Sequence, residues 1–147
     1  MADLPGIVEL WKSIMDFHRD LDSFFTRSQD GHLNILDWIT KQMGSNNSGL
    51  FIAELDGMLL AYIKIEICGY PPVFEKKEFG MISEIFVGEK YRGMGIGEDL
   101  LHRAMIWFKE KQIDRVELRV ANANSGAQEF WRKMGFCPYL TTLFKEE

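Results

Sequence analysis

An α+β domain built on one mixed sheet is the fold class this sequence predicts, and three observations carry the prediction. Two stretches with helical apolar spacing open the chain, two alternating strands joined by Asp56-Gly57 follow, and a strand–helix–strand unit comes next. The 147 residues, 46% hydrophobic and 27% charged, suffice for one domain with a buried core and are not the composition of a disordered chain. No repeat or low-complexity stretch divides residues 1–147, so a single domain is expected, with helices on both faces of its sheet.

From Gly6 to Phe25, Ile7, Leu10, Trp11, Ile14, Phe17, Leu21, Phe24 and Phe25 fall on one helical face, which predicts a long amphipathic helix. A second helix is expected over 32–43, with Asp30 as its cap and Leu36, Ile39 and Met43 inward, ending at the polar run Gly44 to Gly49. The period then becomes two. Phe51–Leu55 and Met58–Ile67 are rich in β-branched and aromatic residues, and Asp56-Gly57 supplies two residues tolerant of the positive φ of a type I′ hairpin turn. Beyond the Gly69-Tyr70-Pro71-Pro72 loop, Phe79–Val87 reads as a strand, 97–111 as a helix and Arg115–Val120 as a strand. That order at that spacing predicts a parallel crossover. Ser125 reads as the cap of a last helix with Ala127, Phe130, Trp131 and Met134 on one face, Gly135 ends it, and Cys137–Phe144 is expected to be a final strand.

Several functions are excluded early. Cys68 and Cys137 stand alone and His18, His32 and His102 are scattered, so the thiols are expected to be reduced and no metal site is indicated. No apolar run approaches the roughly 18 residues of a membrane span. Asp3 and Pro5 occupy the place of a signal peptide's basic and apolar regions, so a cytoplasmic protein without membrane contact is expected. A net charge of −5 has the wrong sign for a nucleic-acid partner. All of that excess lies in residues 1–80, with seven Lys+Arg against twelve Asp+Glu, whereas the rest carries ten of each.

Tyr91-Arg92-Gly93-Met94-Gly95-Ile96-Gly97 sits between a strand and a helix. Glycines there let successive N–H groups converge on an anion, and the helix dipole adds about half a positive charge, so a phosphate-bearing ligand is predicted. A glycine turn needed for geometry alone is the plainer alternative. A Walker loop is excluded because no Lys-Ser or Lys-Thr follows. A dinucleotide fingerprint fits poorly: the spacing is G-x-G-x-G and a hairpin precedes it, although Glu117 stands where a ribose-binding acid is expected.

Arg92-x-x-Gly95-x-Gly97 resembles the [QR]-x-x-G-x-[GA] signature of the GCN5-related N-acetyltransferase (GNAT) superfamily. The likeness extends to strand Ile82–Val87, the helix after the loop, Asn124, and Ala127-x-x-Phe130-Trp131-x-x-x-Gly135-Phe136, and so spans about residues 51–144. It implies a GNAT-like sheet over 49–147 that binds acetyl-CoA as cosubstrate without a metal, with residues 1–48 on the acceptor side. Backbone groups of Ile85, Phe86 and Val87 would pair with the pantetheine arm as an added strand. Arg92 opens the loop, and Gly93, Met94, Gly95, Ile96, Gly97 and Glu98 would receive the pyrophosphate. Asn124 would contact pantetheine or hold the gap between the parallel strands, with a helix cap as the equal alternative.

The resemblance also implies an acyltransferase that moves acetyl directly to a primary amine of a small molecule or protein, with homodimers as the common assembly. Glu84, read as sharing a strand face with Ile82 and Phe86, is the candidate base, its desolvation raising its proton affinity. A surface or ion-paired Glu is the alternative. The oxyanion would meet a backbone N–H near Val87. Where many members place a Tyr to protonate the leaving sulfur, this chain has Trp131, whose indole donates no such proton. Tyr139 is the substitute candidate, and solvent the alternative. Arg119 stands where enzymes acting on ribosomal-protein N-termini tend to carry Glu, which argues against that substrate. The acidic first half, with Asp16, Asp20 and Asp22, favours a cationic acceptor, in a pocket lined by His18 and the Tyr70–Phe74 loop. From a different class, a non-catalytic acyl-CoA-binding domain explains the same loop.

Overall fold

Proline is tolerated in the first turn of a helix, where no N–H bond is lost. Pro5 takes that place in α1 (Leu4–Leu21) of the computed structural model, which describes residues 3–147 and, of Met43, the backbone alone. Ile7, Val8, Trp11 and Ile14 form the buried face of α1. The helix stops four residues short of the expected Phe25. Asp22 is extended and accepts a hydrogen bond from the Phe24 N–H, which turns the chain through one 3-10 turn, Ser23–Phe25, and leaves Phe24 in solvent. In α2 (Gly31–Met43), Ile39 is buried, and Asp30 holds the cap position without a side-chain bond. The inward Met43 side chain expected from spacing lies outside the described residues.

Strands β1 (Ser48–Leu55) and β2 (Met58–Gly69) pair antiparallel around Asp56 (φ 50°) and Gly57 (φ 78°), the two positive angles the Asp-Gly turn requires. Strand β3 (Glu78–Val87) pairs antiparallel with β2, and β4 (Val116–Leu118) pairs parallel with β3, giving one mixed sheet in the order β1-β2-β3-β4. The crossover between them carries α3 (Ile96–Glu110), and α4 (Ser125–Lys133) follows β4. Helices α1 and α2 cover one face, where Trp11 and Ile14 pack with Tyr62 and Phe86. On the opposite face, α3 and α4 bury Ala104, Phe108 and Trp131 against Ala61, Ile63, Ile65 and Ile82.

Three expectations need correction. Register shifts between Lys64 and Ile65, pairing Lys64 with Glu84 but Ile65 with Ile82, so Ser83 is an extra residue on β3. Ile82 therefore faces the α3 core while Glu84 and Phe86 face α1, and the single face inferred from strict alternation does not exist. The cap of α4 is Asn124, whose Oδ1 accepts from the Ala127 N–H at 3.1 Å, and Ser125 is the first helical residue.

The third correction concerns Cys137–Phe144, which forms no strand. After Gly135 (φ 86°) the chain closes α4 with a bond from the Phe136 N–H to the Trp131 carbonyl, and then Tyr139, Leu140, Leu143 and Phe144 are all largely exposed. Aromatic and β-branched residues make a strand only where a neighbouring strand and an apolar face receive them, and among the described residues no strand of the sheet pairs with this segment.

Candidate active site

Two parallel strands that separate leave one edge of each without a ladder partner. The pairing of β3 with β4 covers only Gly80, Met81 and Ile82 against Val116, Glu117 and Leu118. Beyond the Ser83 bulge the strands diverge, and a cleft of about 600 Å³ opens between Ser83–Val87 on one arm and Leu118–Ala121 on the other. The glycine loop, the start of α3, α4 and, from α1, Ile14, Phe17 and His18 complete the lining. Ile85 and Val87 lie against the α3 core, whereas Phe86 is buried on the α1 side. All three backbones line the cleft.

In the loop, Gly93 (φ 77°) and Gly95 (φ 82°) are left-handed, and a Cβ at either would meet nothing within 4 Å. Glycine is needed at both for backbone geometry, and the open space in front of them lies at the start of α3, where N–H groups have no intrahelical partner. Gly97 differs. It is helical, and a Cβ there would make ordinary contacts with Phe130 at 3.5 Å and Val87 at 3.6 Å, so alanine fits. Ile96, Gly97 and Glu98 line the cleft, whereas Met94 does not and is 68% exposed. Glu98 is bonded to Lys133 of α4 at 2.7 Å, an ion pair that raises the proton affinity of the lysine and screens the carboxylate near the helix start. Arg92 donates from Nε to the Val87 carbonyl at 3.1 Å, and its guanidinium lies 5.5 Å from the Phe17 ring and 5.6 Å from the Phe86 ring. Asn124 lines the cleft, and its side chain caps α4.

At the α1 end, Glu84 stands 3.5 Å from Lys64, with both side chains 16% exposed, and the ammonium of Lys64 is also 3.8 Å from the centre of the Trp38 ring. The Tyr62 hydroxyl is buried next to Glu84 without a hydrogen-bond partner among the described residues. Burial, and then the neighbouring Glu84 charge, push its ionisation far above the ordinary tyrosine range. Desolvation lowers the His18 proton affinity, outweighing the opposing pull of Glu84 and of a hydrogen bond to the Ile14 backbone. Sequence reasoning missed Lys64 and Tyr62. The pairing that brings them to Glu84 runs across a long β2–β3 connection and a bulge, neither of which fixes register by composition.

Other expected members are placed elsewhere. Tyr139 does not line the cleft. Its ring lies under the Arg115 guanidinium at 4.4 Å, before the start of β4, whereas the cleft begins at the end of that strand. The Tyr70–Phe74 loop is also outside the lining, with the Tyr70 hydroxyl bonded to Glu117 and Arg115. Trp131 is 7% exposed and edge-on to Phe130 and Phe136, so it is core packing at the cleft wall. Asp16 pairs with Arg19 and Arg27, Asp20 with Arg19, and Asp22 turns the chain, so the acidic face of α1 is largely neutralised and does not line the cleft. The charged lining is instead Glu84 and Glu98 with Arg92, Arg119 and Lys133, a cationic excess in an acidic protein. Among the described residues, no group of three His, Cys, Asp or Glu side chains is arranged to hold a metal ion, and no helix is long and apolar enough to cross a membrane.

The model of the Acetyltransferase (GNAT) family matches residues 9–136. An uncharacterized N-acetyltransferase of Methanocaldococcus jannaschii is 30% identical over 134 residues, 91% of this chain and 56% of that protein, so the chain spans little more than half the length of this relative. Among solved structures, the BH1408 protein of Bacillus halodurans, solved as a tetramutant, superposes with a TM-score of 0.88 at 22% identity, covering 99% of this chain and 94% of that one. An aminoglycoside N-acetyltransferase in complex with CoA superposes at 0.74 and 18% identity, covering 99% and 88%. At these identities the structural likeness is one of fold.

Proposed function

Because this chain belongs to the acetyltransferase (GNAT) family, we propose that it moves the acetyl group of acetyl-CoA directly to a primary amine. The observation that carries this reading is the splayed edge of β3 running into a left-handed glycine loop at the start of α3. An extended amide-bearing arm matches the open edge at Ile85, Phe86 and Val87, and a pyrophosphate matches the converging N–H groups between Gly93 and Glu98. The cationic lining, in a protein of net charge −5, supports an anionic ligand in the same cleft.

The chain's own groups then divide the chemistry. A backbone N–H near Val87 is the candidate donor to the oxyanion that forms as the thioester carbonyl is attacked. Arg92, anchored on the Val87 carbonyl, fixes the geometry of that strand end. Asn124 holds the start of α4 against the cleft. At the α1 end, Glu84 presents a negative charge with Lys64 behind it, a counter-charge for the ammonium form of the acceptor. A cationic small-molecule amine or a lysine side chain is the acceptor this favours. With Tyr139 outside the cleft and Trp131 in the core, the leaving thiolate takes its proton from the acceptor nitrogen or from solvent.

The test is a panel of spermidine, sisomicin and a lysine-bearing peptide assayed with acetyl-CoA for thiol release, alongside calorimetric titration with CoA. Turnover with at least one amine is expected. CoA binding without any thiol release above background would replace this reading with a non-catalytic acyl-CoA-binding domain.

A further inference from the structure

We propose that His18, on the last turn of α1, is the group that takes the proton from the acceptor amine. This rests on the acetyl-transfer reading. The half-buried imidazole lines the α1 end of the cleft that Glu84 lines from β3, and its ring is held between Phe17, edge-on with centroids 5.7 Å apart, and Phe25 at 5.3 Å. A neutral imidazole carries a lone pair on one ring nitrogen, which is the acceptor that a base requires. Burial keeps the ring below its ordinary proton affinity, which leaves the base form populated at neutral pH.

The surrounding charges suit a base that becomes a cation for part of the cycle. Glu84 on β3 faces the ring and stabilises the imidazolium, while Lys64 on β2 holds that carboxylate at 3.5 Å. The buried Tyr62 hydroxyl lies beside Glu84, and Arg92 of the glycine loop packs on Phe17, next to His18 in the helix. Asp22, beyond the helix end, donates its N–H to the His18 carbonyl, and its carboxylate accepts from the Phe24 N–H. Glu84 is therefore the carboxylate whose field acts on the ring.

The protons balance without a further reactant. The ammonium loses one proton to His18, which passes it to solvent. The amine nitrogen bonds the carbonyl carbon, the C–S bond breaks, and the second nitrogen proton leaves with the CoA thiolate as thiol.

The experiment measures kcat against pH at saturating amine, using whichever of spermidine, sisomicin or the lysine-bearing peptide is turned over. In the wild type, kcat is expected to fall on the acid side with an apparent pKa below 6.5. His18→Gln should lower kcat about 100-fold or more and lose that limb, with CoA affinity unchanged within twofold. His18→Ala should regain activity on addition of free imidazole, a rescue that a packing role does not produce. Glu84→Gln should keep the limb and raise KM for the amine. If His18→Gln keeps both the limb and kcat within threefold, or if imidazole fails to rescue a folded His18→Ala protein, His18 is not the base. Wild-type protein that binds CoA but acetylates none of the three amines fails the acetyl-transfer reading itself, and this proposal falls with it.

Discussion

The two halves of β3 differ less in residue type than in what holds their edges. From Gly80 to Ile82 the strand is paired with β2 on one edge and β4 on the other, and the Gly80 N–H donates to the Arg115 carbonyl at 2.8 Å. A polar clamp seals that end. Arg115 donates to Glu117 at 2.7 Å and to the Tyr70 hydroxyl at 2.9 Å, Tyr70 bonds Glu117 in turn, and its ring stacks on Phe79 with centroids 4.4 Å apart. From Ser83 to Val87 only β2 is paired, and the other edge faces the cleft. One inserted residue and a partner strand of three residues therefore separate a closed half from a cleft-facing half. The cleft here comes from withholding a neighbour from the backbone, which side-chain composition does not record.

The sharpest way to break the comparison is at the open half. Gly95→Asp puts a side chain on a residue with φ 82° and a carboxylate where the anion is proposed to sit. CoA affinity should fall by about 100-fold or more, roughly 2.8 kcal/mol, measured by calorimetric titration. A loss under tenfold would remove this loop from the pyrophosphate site. A smaller effect, of the opposite kind, is expected at the closed half. A Cβ on Gly80 would approach the ring of the fully buried Phe108 to 2.4 Å, so Gly80→Ala should destabilise the fold by about 1–3 kcal/mol through overpacking. Denaturant unfolding reads the loss, and CoA affinity of the folded protein should stay within a few-fold, because the clash lies on the α3 face of the closed half. An equal loss of CoA affinity would mean that the halves are not separable.

The smallest effect tests the clamp. Burial acts to raise the Glu117 carboxyl, but hydrogen bonds from Tyr70 and Arg115 together with the Arg115 charge outweigh it and hold the group below its ordinary value. A carboxylate lowered on folding stabilises the protein above its unfolded value, near 4.5, and that contribution is lost as pH falls through the folded value. The Tm deficit of Glu117→Gln relative to wild type should therefore be constant from pH 7 to about 5 and shrink below 4.5. A deficit independent of pH would show that the clamp acts through shape rather than charge.

Much of this fold was legible along the chain because its signals are local. The Asp56-Gly57 turn, the helical periods of α1 and α2, and the strand–loop–helix order around Gly93 and Gly95 all survive in the structure. The failures are equally specific. Cys137–Phe144 carries the aromatic and β-branched residues of a strand but pairs with none, and Tyr139, Leu140, Leu143 and Phe144 stay exposed. Asp16, Asp20 and Asp22 are three of the twelve acidic residues of the first half, yet Arg19, Arg27 and a backbone turn absorb them, and the charges that line the cleft are mainly cationic. A count of charges along a chain does not say which of them find partners.

The sequence by itself determined the mixed sheet, the order of its four strands and of the helices between them, and the glycine turn that opens α3, because hydrophobic period, turn chemistry and glycine spacing act over a few residues. Tertiary structure alone decided where β3 bulges, how far β4 follows it, and that Lys64, Tyr62 and His18 gather around Glu84. Those outcomes depend on register between distant segments. Register is set by the packing of whole faces, which no single stretch of residues contains.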